Sequence, residues 1–96
     1  MPGWILESAD PPVTLRLPHS AIKTVGRTSR ADFVLEAPLV SRLHCRLTAD
    51  DSDQLIVEDL ESTNGTLVNG ERISRAVLRT GDTLTVGRVS FAVLPG

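Results

Sequence analysis

Apolar and polar residues alternate along this chain with the period of a strand. Val13-Thr-Leu-Arg-Leu17 alternates without a fault, as expected where one face is buried and the other meets water. Trp4-Ile5-Leu6 precedes it, with Asp10-Pro11-Pro12 as the turn between them. The same pattern predicts strands at residues 22–25, 33–35, 45–47, 55–58, 66–68, 83–86 and 89–94. Turn residues stand in the gaps: Gly26, Pro38, the Asp50-Asp-Ser-Asp53 run, Asn64-Gly65, Asn69-Gly70, Gly81-Asp82 and Gly87. Short strands punctuated this often predict an all-β sandwich or barrel.

Two Asn-Gly pairs enclose the short strand at 66–68. Each predicts a hairpin, because both central residues of a type I′ turn need positive φ, which Gly adopts freely and Asn more readily than most. Residues 71–80 have a second reading, since Ile73, Ala76 and Val77 fall at helical spacing and Asn69 stands near an N-terminal cap. Ten residues enclosed by Asn-Gly and Gly-Asp make a marginal helix, so a strand at 71–73 completing the hairpin is preferred. Thr24-Val-Gly-Arg27 recurs as Thr85-Val-Gly-Arg88. The flanks do not match, so the chain is not read as a repeat.

At 96 residues the chain suits one domain, 1–96, with a single core. Its 41% hydrophobic and 23% charged residues are those of an ordinary globular fold. One cysteine, Cys45, excludes an internal disulfide, and no metal-ligand pattern surrounds it. No apolar run reaches membrane-spanning length, and the expected setting is intracellular and cytoplasmic, with the nucleus as the alternative. A net charge of −2 and only Trp4, Phe33 and Phe91 as aromatics leave no basic footprint or stacking platform for nucleic acid. Neither nucleic acid nor membrane is expected as a partner, no cofactor is implied, and the domain alone is expected to be monomeric.

The arginines are nevertheless clustered, with Arg27, Arg30, Arg42 and Arg46 within twenty residues. Screening acts over roughly 8 Å at physiological salt, so such a local group decides what binds more than the overall sign does. Gly26-Arg27 ends one strand with a flexible residue and then a guanidinium, and Ser41-Arg42 places a hydroxyl beside another. A guanidinium fork meets phosphate or carboxylate oxygens two at a time, and a hydroxyl adds a donor, so an oxyanion site is indicated. Glu61-Ser-Thr-Asn64 crowds polar side chains onto a turn, where rigid scaffolds usually carry binding. Taken singly, each of these is also what a solvated turn or a surface charge looks like. Ser41, His44 and Asp59 are the residue types of a hydrolytic triad, but no strand-elbow-helix setting accompanies them and no enzymatic activity is expected. Asp50, Asp51 and Asp53 lack the following Gly and final Glu of a calcium loop and are read as solubilising a hairpin.

Gly26-Arg27, Ser41-Arg-Leu-His44, Asp59-Leu-Glu-Ser-Thr-Asn-Gly-Thr-Leu-Val-Asn-Gly70, Gly81-Asp82 and Val86-Gly87 resemble, in order and spacing, the signatures of the forkhead-associated (FHA) domain family. The resemblance runs from about Val25 to Gly87. It implies an eleven-stranded, mostly antiparallel β-sandwich whose loops at one end bind phosphothreonine peptides made by Ser/Thr kinases. By position, Arg27 and Ser41 would contact the phosphate, Arg42 would add charge or backbone contacts, Thr63 would donate its hydroxyl and Asn64 would hold the peptide main chain. Ser62 joins Thr63 and Asn64 in the ligand-facing half of its loop. Gly26, His44, Gly65 and Asn69 would support the loops, His44 by bracing the Ser41 loop from behind. Arg88 has no hydroxyl-bearing partner and is read as surface. Two positions depart from the family pattern. Glu61 stands where glycine is frequent and puts a negative charge by the site, and Cys45 stands where alanine is frequent and is read as packing. Leu39, two before Ser41, suggests an apolar preference in the peptide. The competing function is a phosphate-independent interaction or self-association module on a side face or strand edge of the same sandwich.

Overall fold

A computed structural model describes residues 3–96; Met1 and Pro2 lie outside the described residues. The strands are β1 (Gly3–Ala9), β2 (Pro12–Pro18), β3 (Ile22–Gly26), β4 (Phe33–Val34), β5 (Cys45–Ala49), β6 (Leu55–Asp59), β7 (Thr66–Val68), β8 (Glu71–Ile73), β9 (Arg75–Leu78), β10 (Thr83–Val86) and β11 (Val89–Pro95). They form a six-stranded sheet, β2-β1-β11-β10-β7-β8, and a five-stranded sheet, β4-β3-β5-β6-β9. All pairings are antiparallel except β3 with β4.

Period-2 burial produces one core between the sheets. Leu6, Leu15, Leu17, Leu84, Val86, Phe91 and Val93 face inward from the first sheet, and Val25, Cys45, Leu47, Leu55, Val57 and Leu78 from the second. The first sheet pairs through long registers, with Leu6 opposite both Leu15 and Val93. Apolar residues at alternate positions therefore bury a continuous face without any helix. No helix of the described residues is long and apolar enough to cross a membrane.

Ten of these strands appear where the sequence predicts them, nine from alternation and turn spacing and β8 from the Asn69-Gly70 hairpin, with ends shifted by up to three residues. The exception is β9. Residues 71–80 form two short strands, β8 and β9, separated by Ser74 and lying in different sheets. Ile73 faces inward opposite Thr66, while Ala76 and Leu78 face inward opposite Val57 and Leu55. The change of sheet at Ser74 interrupts the alternation, which makes the segment mimic a helical period.

The two Asn-Gly pairs behave differently. Asn69 and Gly70 have φ of 52° and 85° and join β7 to β8 as a tight hairpin. Asn64-Gly65 forms no hairpin, because β6 and β7 on either side of it belong to different sheets. Only Gly65, with φ of 90°, takes the left-handed conformation there.

The strand ends sort into two poles. One gathers the β3–β4, β4–β5, β6–β7 and β10–β11 connections. At the other, Asn69 accepts from Thr83 N through Oδ1 (2.9 Å) and donates to Asp82 through Nδ2 (3.0 Å). Asn69 thus supports turns at the pole away from Arg27 and Ser41. The aspartate run also lies at that far pole and ties rather than merely solvates. Asp50 accepts from the amides of Ser52 and Gln54, Asp51 from the Ser20 hydroxyl and Asp53 from Gly3 N.

Phe91 is fully buried at the centre of the core. Phe91→Ala is expected to destabilise the domain by about 3–5 kcal/mol, read as a lower urea midpoint with an unchanged slope.

Candidate functional site

The loop pole is assembled by backbone interlocks. Arg27 N donates to Ser41 O (2.9 Å) and His44 N to Val25 O (2.8 Å), continuing the β3–β5 ladder into the loops. Gly26 allows this approach, since a Cβ there would lie 2.0 Å from the Arg42 carbonyl oxygen. The glycine is therefore dictated by close approach of two chains. Thr28 Oγ1 donates to the same Arg42 oxygen at 3.4 Å.

Three loops are then tied to one another by side chains. Arg27 Nε donates to Val40 O at 3.0 Å, which holds the guanidinium against the β4–β5 loop. Its two terminal amino groups have no protein partner among the described residues. Ser41 Oγ accepts from Thr63 N (3.0 Å), joining the β4–β5 and β6–β7 loops while its own proton stays free to donate. Asn64 Nδ2 donates to Leu39 O at 3.3 Å, and its Oδ1 remains an open acceptor. Leu39 is itself in the left-handed region at φ 69° and 43% exposed. Arg42 and Thr63 are exposed beside these groups, and neither side chain has a polar partner among the described residues. The structure thus brings Arg27, Ser41, Arg42, Thr63 and Asn64 to one surface.

His44 stands behind that surface, with no solvent exposure. Its Nδ1 accepts from Ser41 N (3.0 Å) and its Nε2 faces Gly65 O (2.8 Å). An amide nitrogen can only donate and a carbonyl can only accept, so the ring is neutral with its proton on Nε2. The alternation of β5 does not reach His44, which lies just before that strand. Both ring nitrogens are occupied by backbone, so the Ser-His-Asp combination forms no triad here: no imidazole nitrogen is left to take the Ser41 proton.

Asp59, which opens the signature run Asp59–Gly70, organises the β6–β7 loop. Its Oδ1 accepts from the hydroxyls of Ser62 (2.5 Å) and Thr66 (2.7 Å), and its Oδ2 from Ser62 N (3.2 Å). Ser62 Oγ in turn accepts from Gly65 N at 3.0 Å. Ser62 is buried and fully engaged, so the ligand-facing part of the loop is Thr63 and Asn64 alone. The spacing Asp59-x-x-Ser62-x-x-Gly65 was the available signal, a side-chain-capped turn rather than a hairpin. Burial pushes the Asp59 carboxyl up, but the Ser62 and Thr66 hydroxyls and the Ser62 amide together outweigh it. The net result is a value below the ordinary aspartate range. Cys45, packed below, is raised to about 12 by burial and then by the Asp59 charge, so it remains an inert thiol.

No group of three or more His, Cys, Asp or Glu suited to a metal occurs among the described residues. A concavity of about 160 Å³ lined by Trp4, Arg16 and Pro18 lies at the opposite pole and gathers no comparable set of donors.

Comparison with known proteins places these features in context. The FHA domain family model matches residues 23–87. The glycogen accumulation regulator GarA of Mycobacterium tuberculosis is 36% identical over 76 residues, covering 79% of this chain and 46% of the regulator. An ABC transporter ATP-binding/permease protein of the same organism is 36% identical over 84 residues, covering 88% of this chain and 10% of the transporter. This chain therefore corresponds to less than half the length of either relative. Among solved structures, EmbR of M. tuberculosis in complex with a low-affinity phosphopeptide superposes with a TM-score of 0.85 at 28% identity. That match covers 97% of this chain and 24% of EmbR.

Asp59→Asn exchanges an acceptor for a donor facing Ser62 N and is expected to destabilise the domain by about 1–3 kcal/mol, with faster amide exchange at Gly65. Because the folded-state value is depressed, the carboxylate contributes fully above the unfolded value of about 3.9 and the contribution is lost as pH falls through the lower folded value. Urea midpoints measured from pH 5 downward should fall more steeply for the native protein than for Asp59→Asn.

Proposed function

This chain belongs to the FHA domain family, and we propose that it is a phosphothreonine-peptide binding module that recruits a partner phosphorylated by a Ser/Thr kinase. The observation that carries this reading is the Ser41–Thr63 interlock. It sets the hydroxyl-bearing loop against the loop carrying Thr63 and Asn64, with Arg27 anchored one residue away on Val40. The complex of the related EmbR with a phosphopeptide supports the same assignment. Residues 1–96 are read as one such module.

Phosphate at neutral pH carries nearly two charges and three strong acceptor oxygens. The unpartnered amino groups of Arg27, the Ser41 and Thr63 hydroxyl protons and the Arg42 guanidinium are the donors it needs. Asn64 Oδ1, an acceptor, suits a peptide N–H, while its amide nitrogen stays committed to Leu39. Arg27 is preformed by its Nε bond, so little of its freedom is lost on binding. Each charge-assisted bond contributes about 1.5–3 kcal/mol, offset by ordering of an extended peptide. The expected affinity is micromolar, roughly 8 kcal/mol. Threonine is expected over serine, although one methyl group contributes only about 0.8 kcal/mol and a stronger preference needs shape exclusion. With both His44 nitrogens committed, the module binds and does not catalyse.

A phosphate-independent reading has its own observation. Ile22, Thr48, Ile56 and Val77 lie in one row across the outer face of the five-stranded sheet, with Ile22 61% and Val77 39% exposed. Paired threonine and phosphothreonine peptides separate the two readings by titration calorimetry. Equal affinity for both peptides would remove the phosphopeptide reading.

Arg27→Ala and Ser41→Ala are each expected to abolish most phosphopeptide binding. Each also removes one inter-loop hydrogen bond, so a stability loss of about 1 kcal/mol accompanies it. Folded variants that still bind would refute the site. In the native protein, affinity should weaken as pH falls through about 6, where the phosphate takes up its second proton.

A further inference from the structure

The loop that carries Thr63 and Asn64 has a guanidinium packed on it that none of the assignments above uses. Arg72, at the middle of β8, faces outward in register with Leu67. Its side chain reaches back over Gly65. A Cβ on Gly65 would lie 2.8 Å from Arg72 Nε, 3.0 Å from Cζ and 3.1 Å from Cδ. The missing side chain of Gly65 is therefore filled by the stem and head of Arg72. Because Gly65 follows Asn64 directly, the positive charge sits beside the residues that meet the peptide.

Arg72 is exposed and forms no ion pair or side-chain hydrogen bond among the described residues. Its strand neighbour Glu71 points to the other face, as alternation requires. β8 is the edge strand of its sheet, so no further strand covers the guanidinium. Packing against the Gly65 backbone restricts the stem, which lowers the entropy lost when the head engages a partner. A guanidinium fork with its donors free is suited to a carboxylate. Arg27, Ser41, Arg42 and Thr63 supply the phosphate's donors, so Arg72 is left to read a second group of the same ligand.

We propose that Arg72 is a specificity-determining residue that selects an acidic side chain, Asp or Glu, on the stretch of peptide passing beyond Asn64. The proposal rests on the phosphopeptide reading of the site. It predicts a module that reads two anions: the phosphate at Arg27 and Ser41, and a carboxylate at Arg72.

The test uses phosphothreonine peptides carrying Asp, Glu, Ala or Lys in turn at each position flanking the phosphothreonine. In the native protein one flanking position should favour the acid over Ala by up to about fivefold, the upper range for an exposed charge pair, with Lys weaker than Ala. Arg72→Gln should bind the four peptides alike, keeping the affinity for the Ala peptide within about twofold. Arg72→Glu should favour Lys at the same position, an inversion that a purely structural role would not produce. Equal binding of acid, Ala and Lys peptides by the native protein at every position overturns the proposal. So does an acid preference that persists unchanged in Arg72→Gln. If the native protein binds no phosphothreonine peptide at all, the site reading fails and the Arg72 proposal falls with it. Binding without an Arg72-dependent preference removes the Arg72 proposal alone.

Discussion

One buried imidazole joins two loops, β4–β5 within the five-stranded sheet and β6–β7 crossing between the sheets. His44 accepts a hydrogen bond from the Ser41 amide, partly shielded from water, and donates one to the Gly65 carbonyl, fully shielded. Leaving either backbone group unpaired in such a place costs about 1–3 kcal/mol, so the ring fixes the separation of the loops from behind. From the front, Ser41 Oγ closes the same gap by accepting from Thr63 N. The candidate surface lies over this double closure, and the Arg27, Ser41 and Asn64 side chains on it are held by hydrogen bonds to neighbouring loops.

Asp59 plays the matching part within the β6–β7 loop. A carboxylate with three donors turned toward it folds Ser62 inward and frees Thr63 and Asn64 to face out. No buried side-chain nitrogen or oxygen among the described residues lacks a partner. The polar network beneath the site is therefore complete, the condition under which such networks rigidify rather than weaken a fold. Glycines set how closely the pieces approach. Gly26 admits the Arg42 carbonyl and Gly65 admits the Arg72 side chain.

On the phosphopeptide reading, recruitment and selectivity separate physically. The phosphate would draw on charge and hydroxyls gathered from three loops, and selection of a neighbouring residue would fall to the rim, where Arg72 packs its stem on Gly65 and Leu39 stands exposed. The chain is acidic overall, net −2, yet Arg27 and Arg42 stand together at the loop pole. A few local donors outweigh a weak overall field that is screened within about 8 Å.

Nine strands were legible because a sandwich buries alternate residues, and Val13–Leu17 or Val89–Leu94 cannot alternate in that way without one face meeting a core. Arg27, Ser41, Arg42, Thr63 and Asn64, which the structure gathers at one pole, stand out in the sequence by their chemistry and ordered spacing. β9 was not, because the chain changes sheet at Ser74 and alternation carries no information across such a break. Ser62 was misread because a hydroxyl looks the same in sequence whether it faces a ligand or the protein. Asn69 was assigned to loop support without its pole being evident. By itself, then, the sequence determined the strand pattern, the all-β class and which residue types were available for an oxyanion. Tertiary structure alone decided which of them face outward, that His44 is a neutral brace, and that Arg72 reaches Gly65. Those outcomes depend on contacts between residues far apart in the chain, and local periodicity does not encode them.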